Sequence, residues 1–243
     1  DGRDPLNEYV IEGEAEEKIA LVEVRGTISD APRSGFLRQE PSLVQDVAGR
    51  LRLAAMDDDV RAVVLKVDSP GGTVTASDML YEEIARFKKE SGKPVVAAFL
   101  NVAASGGYYA SLPADRIVAH PTCITGSVGV IFLHPKVEDL LGKIGVDVAV
   151  AKSGEHKDML SPFRPDSEAE RAMLQGIIDE MNQRFQELVA RHRHPAPEAA
   201  REIATARIFS ARQAQALGLV DEVGTLRQAI ESTKIGRASC RER

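Results

Sequence analysis

The chain has 243 residues, is 43% hydrophobic and carries a formal net charge of −6. That is enough apolar material for one sizeable core, and an acidic balance with no basic, aromatic-interleaved stripe argues against a nucleic-acid partner. Only 5% of residues are aromatic and none is Trp, so the core has to be built from Val, Ile, Leu and Ala.

Residues 1–17 are polar and acidic and read as a linker or arm. The apolar run at 19–24 predicts a buried strand closed by Arg25-Gly26, and residues 28–40 read as loop. Helical spacing follows at 42–56 through Leu43, Val44, Val47, Leu51 and Leu53. A β-branched run at 62–67 predicts a second strand, ending in the turn Asp68-Ser69-Pro70-Gly71-Gly72. A helix is expected over about 76–89, with Leu80, Ile84 and Phe87 on one face. The strand at 94–100 leads into Asn101-Val102-Ala103-Ala104-Ser105-Gly106-Gly107-Tyr108-Tyr109, a run of small residues with a helical continuation. Further strands are expected at 116–119 and 146–150. From Ser167 the pattern is helical to about His192, with Ser167 and Glu170 spaced as a capping box. Its apolar positions are Met173, Ile177, Met181, Phe185 and Leu188. Residues 209–224 read as a helix ended by Gly218 and a tight turn. Short strands alternating with helices predict an α/β fold with mainly parallel strands and a C-terminal helical part.

Cys123 and Cys240 give neither a disulfide framework nor metal-ligand spacing. His192 and His194 lie two apart near a helix end, where they point in different directions, so no metal and no cofactor is expected. The last ten residues, KIGRASCRER, resemble the translation of a sequencing adapter. They are expected to be foreign, which places the domain at 18–233. No run of 18 apolar residues is present in this sequence.

Three segments together supply the parts of serine hydrolysis. Ser105 is the candidate nucleophile, Lys157 in Lys152-Ser153-Gly154-Glu155-His156-Lys157-Asp158 the candidate base, and Gly71-Gly72 part of an oxyanion hole. A serine hydroxyl needs a neighbouring base to take its proton. Neither His120 nor His134 sits in an obvious partner motif, since each precedes Pro in apparent loop. Lysine accepts a proton only when neutral, and a free lysine side chain is roughly 0.04% neutral at pH 7. Overcoming that preference requires about 4.6 kcal/mol, which burial supplies. A lysine base is therefore expected to be desolvated with substrate bound and held by hydroxyl or carbonyl acceptors; an ion pair with Asp158 would defeat it. The oxyanion hole needs two backbone N–H groups aimed at one point. Gly72 is expected to give one and Ser105 itself the other.

On these motifs the chain resembles the signal peptide peptidase A family, Ser–Lys peptidases with the Clp protease/crotonase fold of repeated β-β-α units. The resemblance runs from about Lys18 to about Ala229. Asp68-Ser69-Pro70-Gly71-Gly72 resembles the family's oxyanion-hole turn and Ala104-Ser105-Gly106-Gly107-Tyr108-Tyr109 its nucleophile motif. Ser153-Gly154 through Lys157-Asp158, with Ser161-Pro162, resembles its base motif. Ile124-Thr125-Gly126-Ser127-Val128-Gly129 resembles the segment whose serine, here Ser127, hydrogen-bonds the lysine amine. The resemblance implies cleavage of remnant signal peptides at the extracytoplasmic side of the bacterial cytoplasmic membrane. It also implies an N-terminal membrane anchor upstream of Asp1 and assembly into a ring-like homo-oligomer.

Three other readings compete. A crotonase-type acyl-CoA enzyme would need a CoA surface and a carboxylate acid/base, and nothing marks either. A Clp-type Ser–His–Asp peptidase would need a histidine where this chain has Gly126-Ser127-Val128-Gly129. A non-catalytic scaffold would not need Ser105, Lys157 and Ser127 together.

Overall fold

A computed structural model of the chain describes residues 17–34 and 39–238, together with Ile11. Most of the acidic arm expected over 1–17 lies outside the described residues. The elements, in order, are β1 (Lys18–Arg25), β2 (Arg33–Ser34), β3 (Gln39–Glu40), α1 (Leu43–Met56), β4 (Val60–Ser69), α2 (Val74–Ser91), β5 (Val95–Ala104), α3 (Gly106–Ser111), β6 (Arg116–Ala119) and β7 (Ile124–Gly126). They continue with α4 (Glu138–Lys143), α5 (Glu168–Arg193), α6 (Pro197–Ile203), β8 (Ile208–Ser210), α7 (Ala211–Ala216), β9 (Glu222–Val223) and α8 (Leu226–Ala238). The last helix runs through residues 234–238 without a break.

The main sheet has the order β1-β4-β5-β6-β9, and every pair in that path is parallel. Period-two alternation explains why its strands read as continuous apolar runs. Val63, Leu65, Val67, Val95, Ala97 and Phe99 face one core, shared with α1 and α2. Val64, Val96, Ala98 and Val118 face a smaller one closed by Ala229 of α8. Both sheet faces are thus covered. The helices begin as the sequence dictates. Ser42 closes a capping box with Gln45 at the start of α1, and the Thr73 side chain caps α2. Gly92, with φ +65°, ends α2.

β5 outlasts β6. Its first half pairs with β6 and its second half, Val102–Ala104, pairs in parallel with β7. β7 in turn takes β8 as an antiparallel partner. This short strand was not legible in the sequence, and it is what positions the site described below.

The chain divides into two compact units: residues 1–129 with 185–243, and Val130–Arg184. The span 18–233, read as one domain, comprises both. The strand expected at 146–150 does not form. Val146, Val148 and Val150 alternate as a strand would, but they are 45%, 44% and 52% exposed and no strand pairs with them. Alternation predicts a strand only where a neighbouring ladder takes up its N–H and C=O groups. The capping box at Ser167 and Glu170 is present, with Ser167 N donating to Glu170 Oε2 at 2.9 Å and Glu170 N to Ser167 Oγ at 3.1 Å. The apolar stripe of α5 is divided: Met173, Ile177 and Met181 are exposed, whereas Phe185 and Leu188 join the core of the first unit. Phe209 and Ser210, read as the start of a helix, belong instead to β8, which pairs with β7; α7 follows from Ala211, and Gly218, at φ +75°, reverses the chain.

Candidate active site

Ser105 stands where β5 stops and α3 begins, with φ +51° and ψ −121°. A non-glycine residue there is strained by about 1–3 kcal/mol, and such strain persists only where its surroundings enforce it. Here they do. The Ser105 N–H donates to Gly126 O at 2.9 Å, continuing the β5–β7 ladder by one step. Its carbonyl accepts from Tyr109 N at 2.9 Å to open α3. Behind it, Tyr109 donates its hydroxyl to Asp78 Oδ1 of α2 at 2.6 Å, and its ring packs on Phe185 at 4.8 Å. Tyr108 is fully buried and donates to Leu219 O at 2.8 Å. The turn is anchored on both sides, and the Ser105 side chain, half-buried, makes no capping bond of its own.

The Asp68–Gly72 turn lies against this elbow. A Cβ on Gly71, which has φ +107°, would sit 2.8 Å from Gly106 N and 2.9 Å from Ser105 Cβ. A Cβ on Gly72 would overlap the Ile28 carbonyl, with which this residue forms an isolated parallel bridge. The glycine pair is therefore required by chain-to-chain packing, not only by clearance for substrate. A Cβ on Gly106 would sit 3.2 Å from Gly72 N, so the start of α3 packs closely on the Asp68–Gly72 turn.

This geometry bears on the oxyanion hole expected from Gly72 and Ser105. The Ser105 N–H is committed to Gly126 O and cannot turn to a substrate oxygen. Gly106 N, the first nitrogen of α3, has no intrahelical acceptor by its position, and it lies against the Asp68–Gly72 turn, 2.8 Å from where a Gly71 Cβ would be. Gly106, one residue on, is therefore the candidate for the second donor. Finding it from sequence required knowing that β7 exists.

Ser127 directly follows the carbonyl that Ser105 binds. It also has φ +51°, and its N–H donates to Arg207 O at 2.9 Å. Ser105, Ser127, Gly72 and Gly106 thus all belong to the first unit.

Lys157 belongs to the second unit, on a loop of turns at 153–160. It is exposed, and among the described residues its amine has no hydrogen-bond or ion-pair partner. Asp158 faces elsewhere. It accepts from Arg164 Nε at 2.8 Å and from Lys152 Nζ at 2.8 Å. Arg164, then Lys152, hold its carboxyl well below the usual range. Arg164 also grips Glu170, whose carboxyl is lowered from 4.5 to about 2 by that bond and by the Ser167 N–H. A depressed carboxyl stabilises fully above its unfolded value and loses that contribution as pH falls through its folded one. The protection of amides 152–170, measured against the intrinsic exchange rate at each pH, is therefore expected to decline as pH drops from about 4.5 to about 2. Hydrogen exchange measured by mass spectrometry should show this, and Glu170→Gln should flatten it.

Three of the five histidines have side-chain partners. His120 Nδ1 pairs with Thr122 Oγ1 at 2.8 Å, and His192 Nε2 with the Tyr81 hydroxyl at 2.8 Å. His134 Nε2 lies 2.7 Å from Asp166, which also accepts from Lys136 Nζ at 2.6 Å. Cys123 is buried and its thiol is pushed up to about 12 by desolvation, so it is inert as a nucleophile. Among the described residues no three His, Cys, Asp or Glu side chains cluster as metal ligands, and no helix is long and apolar enough to cross a membrane.

The chain is similar to known proteins in sequence and in fold. Residues 87–239 match the model of peptidase family S49. An Enterococcus faecium protein, provisionally named signal peptide peptidase SppA, is 38% identical over 227 residues, covering 93% of this chain and 66% of its own length. Protease 4 of Haemophilus influenzae is 35% identical over 217 residues, 89% of this chain and 34% of that protein. The chain therefore spans from about a third to just under two thirds of these relatives. A solved structure of a ClpP1 mutant from Listeria monocytogenes superposes with a TM-score of 0.54 over 86% of this chain and 94% of that one, at 17% identity. The fold is that of Clp protease: α/β, with a mostly parallel sheet.

Proposed function

Because the chain belongs to peptidase family S49, we propose that it is a serine endopeptidase with Ser105 as nucleophile and Lys157 as general base. The observation that carries this reading is the strained Ser105 elbow packed against the Asp68–Gly72 turn. In the reaction, the neutral Lys157 amine takes the Ser105 hydroxyl proton as Oγ attacks a peptide carbonyl. The Gly72 and Gly106 N–H groups receive the developing oxyanion. The resulting ammonium returns the proton to the departing amine, and water then releases the acyl group by the same route. Lys157 works as a base only once desolvated, and bound peptide, a neighbouring subunit, or both supply that cover.

The name of the Enterococcus faecium relative supports signal peptides as substrates, and we propose that these are the remnants left after export. From the family resemblance we further propose action at the extracytoplasmic face of a bacterial cytoplasmic membrane, with an upstream anchor and a ring-like homo-oligomer. Ser127 is the hydroxyl that receives the lysine N–H. Hydrolysis of a small apolar peptide tests the reading. Losing one oriented hydrogen bond is worth about 1–1.5 kcal/mol, or about tenfold in rate. Ser127→Ala should lower kcat/KM by at least that factor while the melting temperature holds. An unchanged rate would remove Ser127 from the site.

The pairing of His134 with Asp166 favours a second reading, a Ser–His–Asp triad. Against it, the carboxylate is shared with Lys136, which lowers its pull on the imidazole.

A further inference from the structure

We propose that Arg164 is a positioning residue for the base: it draws the Asp158 carboxylate away from the adjacent Lys157 and ties the base-bearing loop to the start of α5. This rests on the Ser–Lys reading above.

The conflict is written into the chain. A lysine that must shed its proton is followed directly by an aspartate. A free carboxylate beside an amine favours the charged ammonium. The structure removes the conflict by giving Asp158 other partners. Arg164 meets it with both edges of a fork, Nε to Oδ2 at 2.8 Å and Nη2 to Oδ1 at 2.9 Å, and Nη2 also reaches the Asp158 carbonyl at 3.2 Å. Lys152 Nζ takes Oδ1 at 2.8 Å. The Asp158 side chain is only 12% exposed, so little of it is open to a further cation.

The other side of the guanidinium fixes the loop in place. Nη1 donates to Glu170 Oε2 at 2.8 Å and Nη2 to Oε1 at 2.5 Å. Glu170 is 3% exposed and closes the α5 capping box, so it is a fixed post. One planar side chain thus joins two carboxylates bidentately, which lysine cannot do. The depressed carboxyls of Asp158 and Glu170 mean both are ionised wherever the enzyme works.

The remaining charges near the loop are accounted for. Lys136 and His134 are held on Asp166, and Lys136 also donates to Ser161 O at 2.8 Å. Glu155 and His156 are exposed neighbours on the loop itself. Asp158 is therefore the one acidic side chain next to Lys157 in sequence whose release would change its surroundings.

The test is the pH dependence of kcat/KM in the full chain. Arg164→Gln should move the acidic limb up by about one pH unit or more, a loss of about tenfold at pH 7. Adding Asp158→Asn to that variant should return the limb to within a few tenths of the wild type. Arg164→Lys should move it less, and it replaces Arg164→Gln, with and without Asp158→Asn, if the glutamine variant does not fold. A folded Arg164 variant whose limb stays put overturns the proposal. So does a displaced limb that Asp158→Asn leaves displaced, because Arg164 would then act by some route other than Asp158. If instead the wild-type limb disappears with a single histidine variant, the Ser–Lys reading itself has failed.

Discussion

Ser105→Ala is expected to abolish peptide hydrolysis, by roughly 10³- to 10⁶-fold, while leaving the fold intact. The substitution deletes the attacking oxygen and nothing else that holds the elbow. The bonds that fix residue 105 are made by its backbone, to Gly126 O and from Tyr109 N, and its side chain caps nothing. Alanine carries the same Cβ into the same φ of +51°, so it inherits the strain unchanged. Glycine does not. Ser105→Gly should be equally inactive yet more stable by about 1 kcal/mol, because a residue without Cβ adopts positive φ at no steric cost. Comparing the two separates chemistry from strain. Both lose the nucleophile, and only one gains in melting temperature. Retained turnover in a clean Ser105→Ala preparation would remove Ser105 from the reaction.

Lys157→Arg should be as inactive as Lys157→Ala, each below the wild type by roughly 10²- to 10⁴-fold, the usual worth of general acid–base catalysis. Arginine keeps the positive charge and most of the length. It is protonated at every accessible pH and has no lone pair to offer. The comparison is clean because Lys157 is exposed and its amine bonds to nothing among the described residues. Neither substitution removes a packing contact or an ion pair, so both variants should melt with the wild type. If arginine preserved activity, Lys157 would be serving as a fixed charge, and the proton would have to go elsewhere. kcat/KM for the three proteins, with thermal melts alongside, decides between these.

Much of this site was legible because its parts are local. Asp68–Gly72, Ala104–Tyr109 and Ser153–Asp158 each declare themselves within a few residues, and the Ser167–Glu170 box spans only one helical turn. The long parallel strands were legible for a similar reason: burial on both faces makes them uniformly apolar. What could not be read depends on distant pairing. β7 is three residues, one of them Gly126, and its antiparallel partner β8 lies some eighty positions later. Without that strand the Ser105 N–H looks free, and Gly106 does not stand out as a candidate donor. Residues 146–150 show the reverse failure, a strand-like alternation with no strand beside it. Arg164 went unnoticed because its importance lies in joining Asp158 to Glu170, two carboxylates six residues away on either side.

The central claim is that a lysine, not a histidine, takes the serine proton, and the pH profile of kcat/KM tests it most directly. It should be measured on a small apolar peptide from about pH 5 to about pH 10, which brackets both histidine and lysine. The same profile is needed for His120→Gln, His134→Gln and His156→Gln. The Ser–Lys account predicts an acidic limb above the histidine value of about 6.5 and below the free-lysine value of about 10.4, present in all three variants. A limb near 6.5 that vanishes in His134→Gln would contradict it and give the proton to the His134–Asp166 pair.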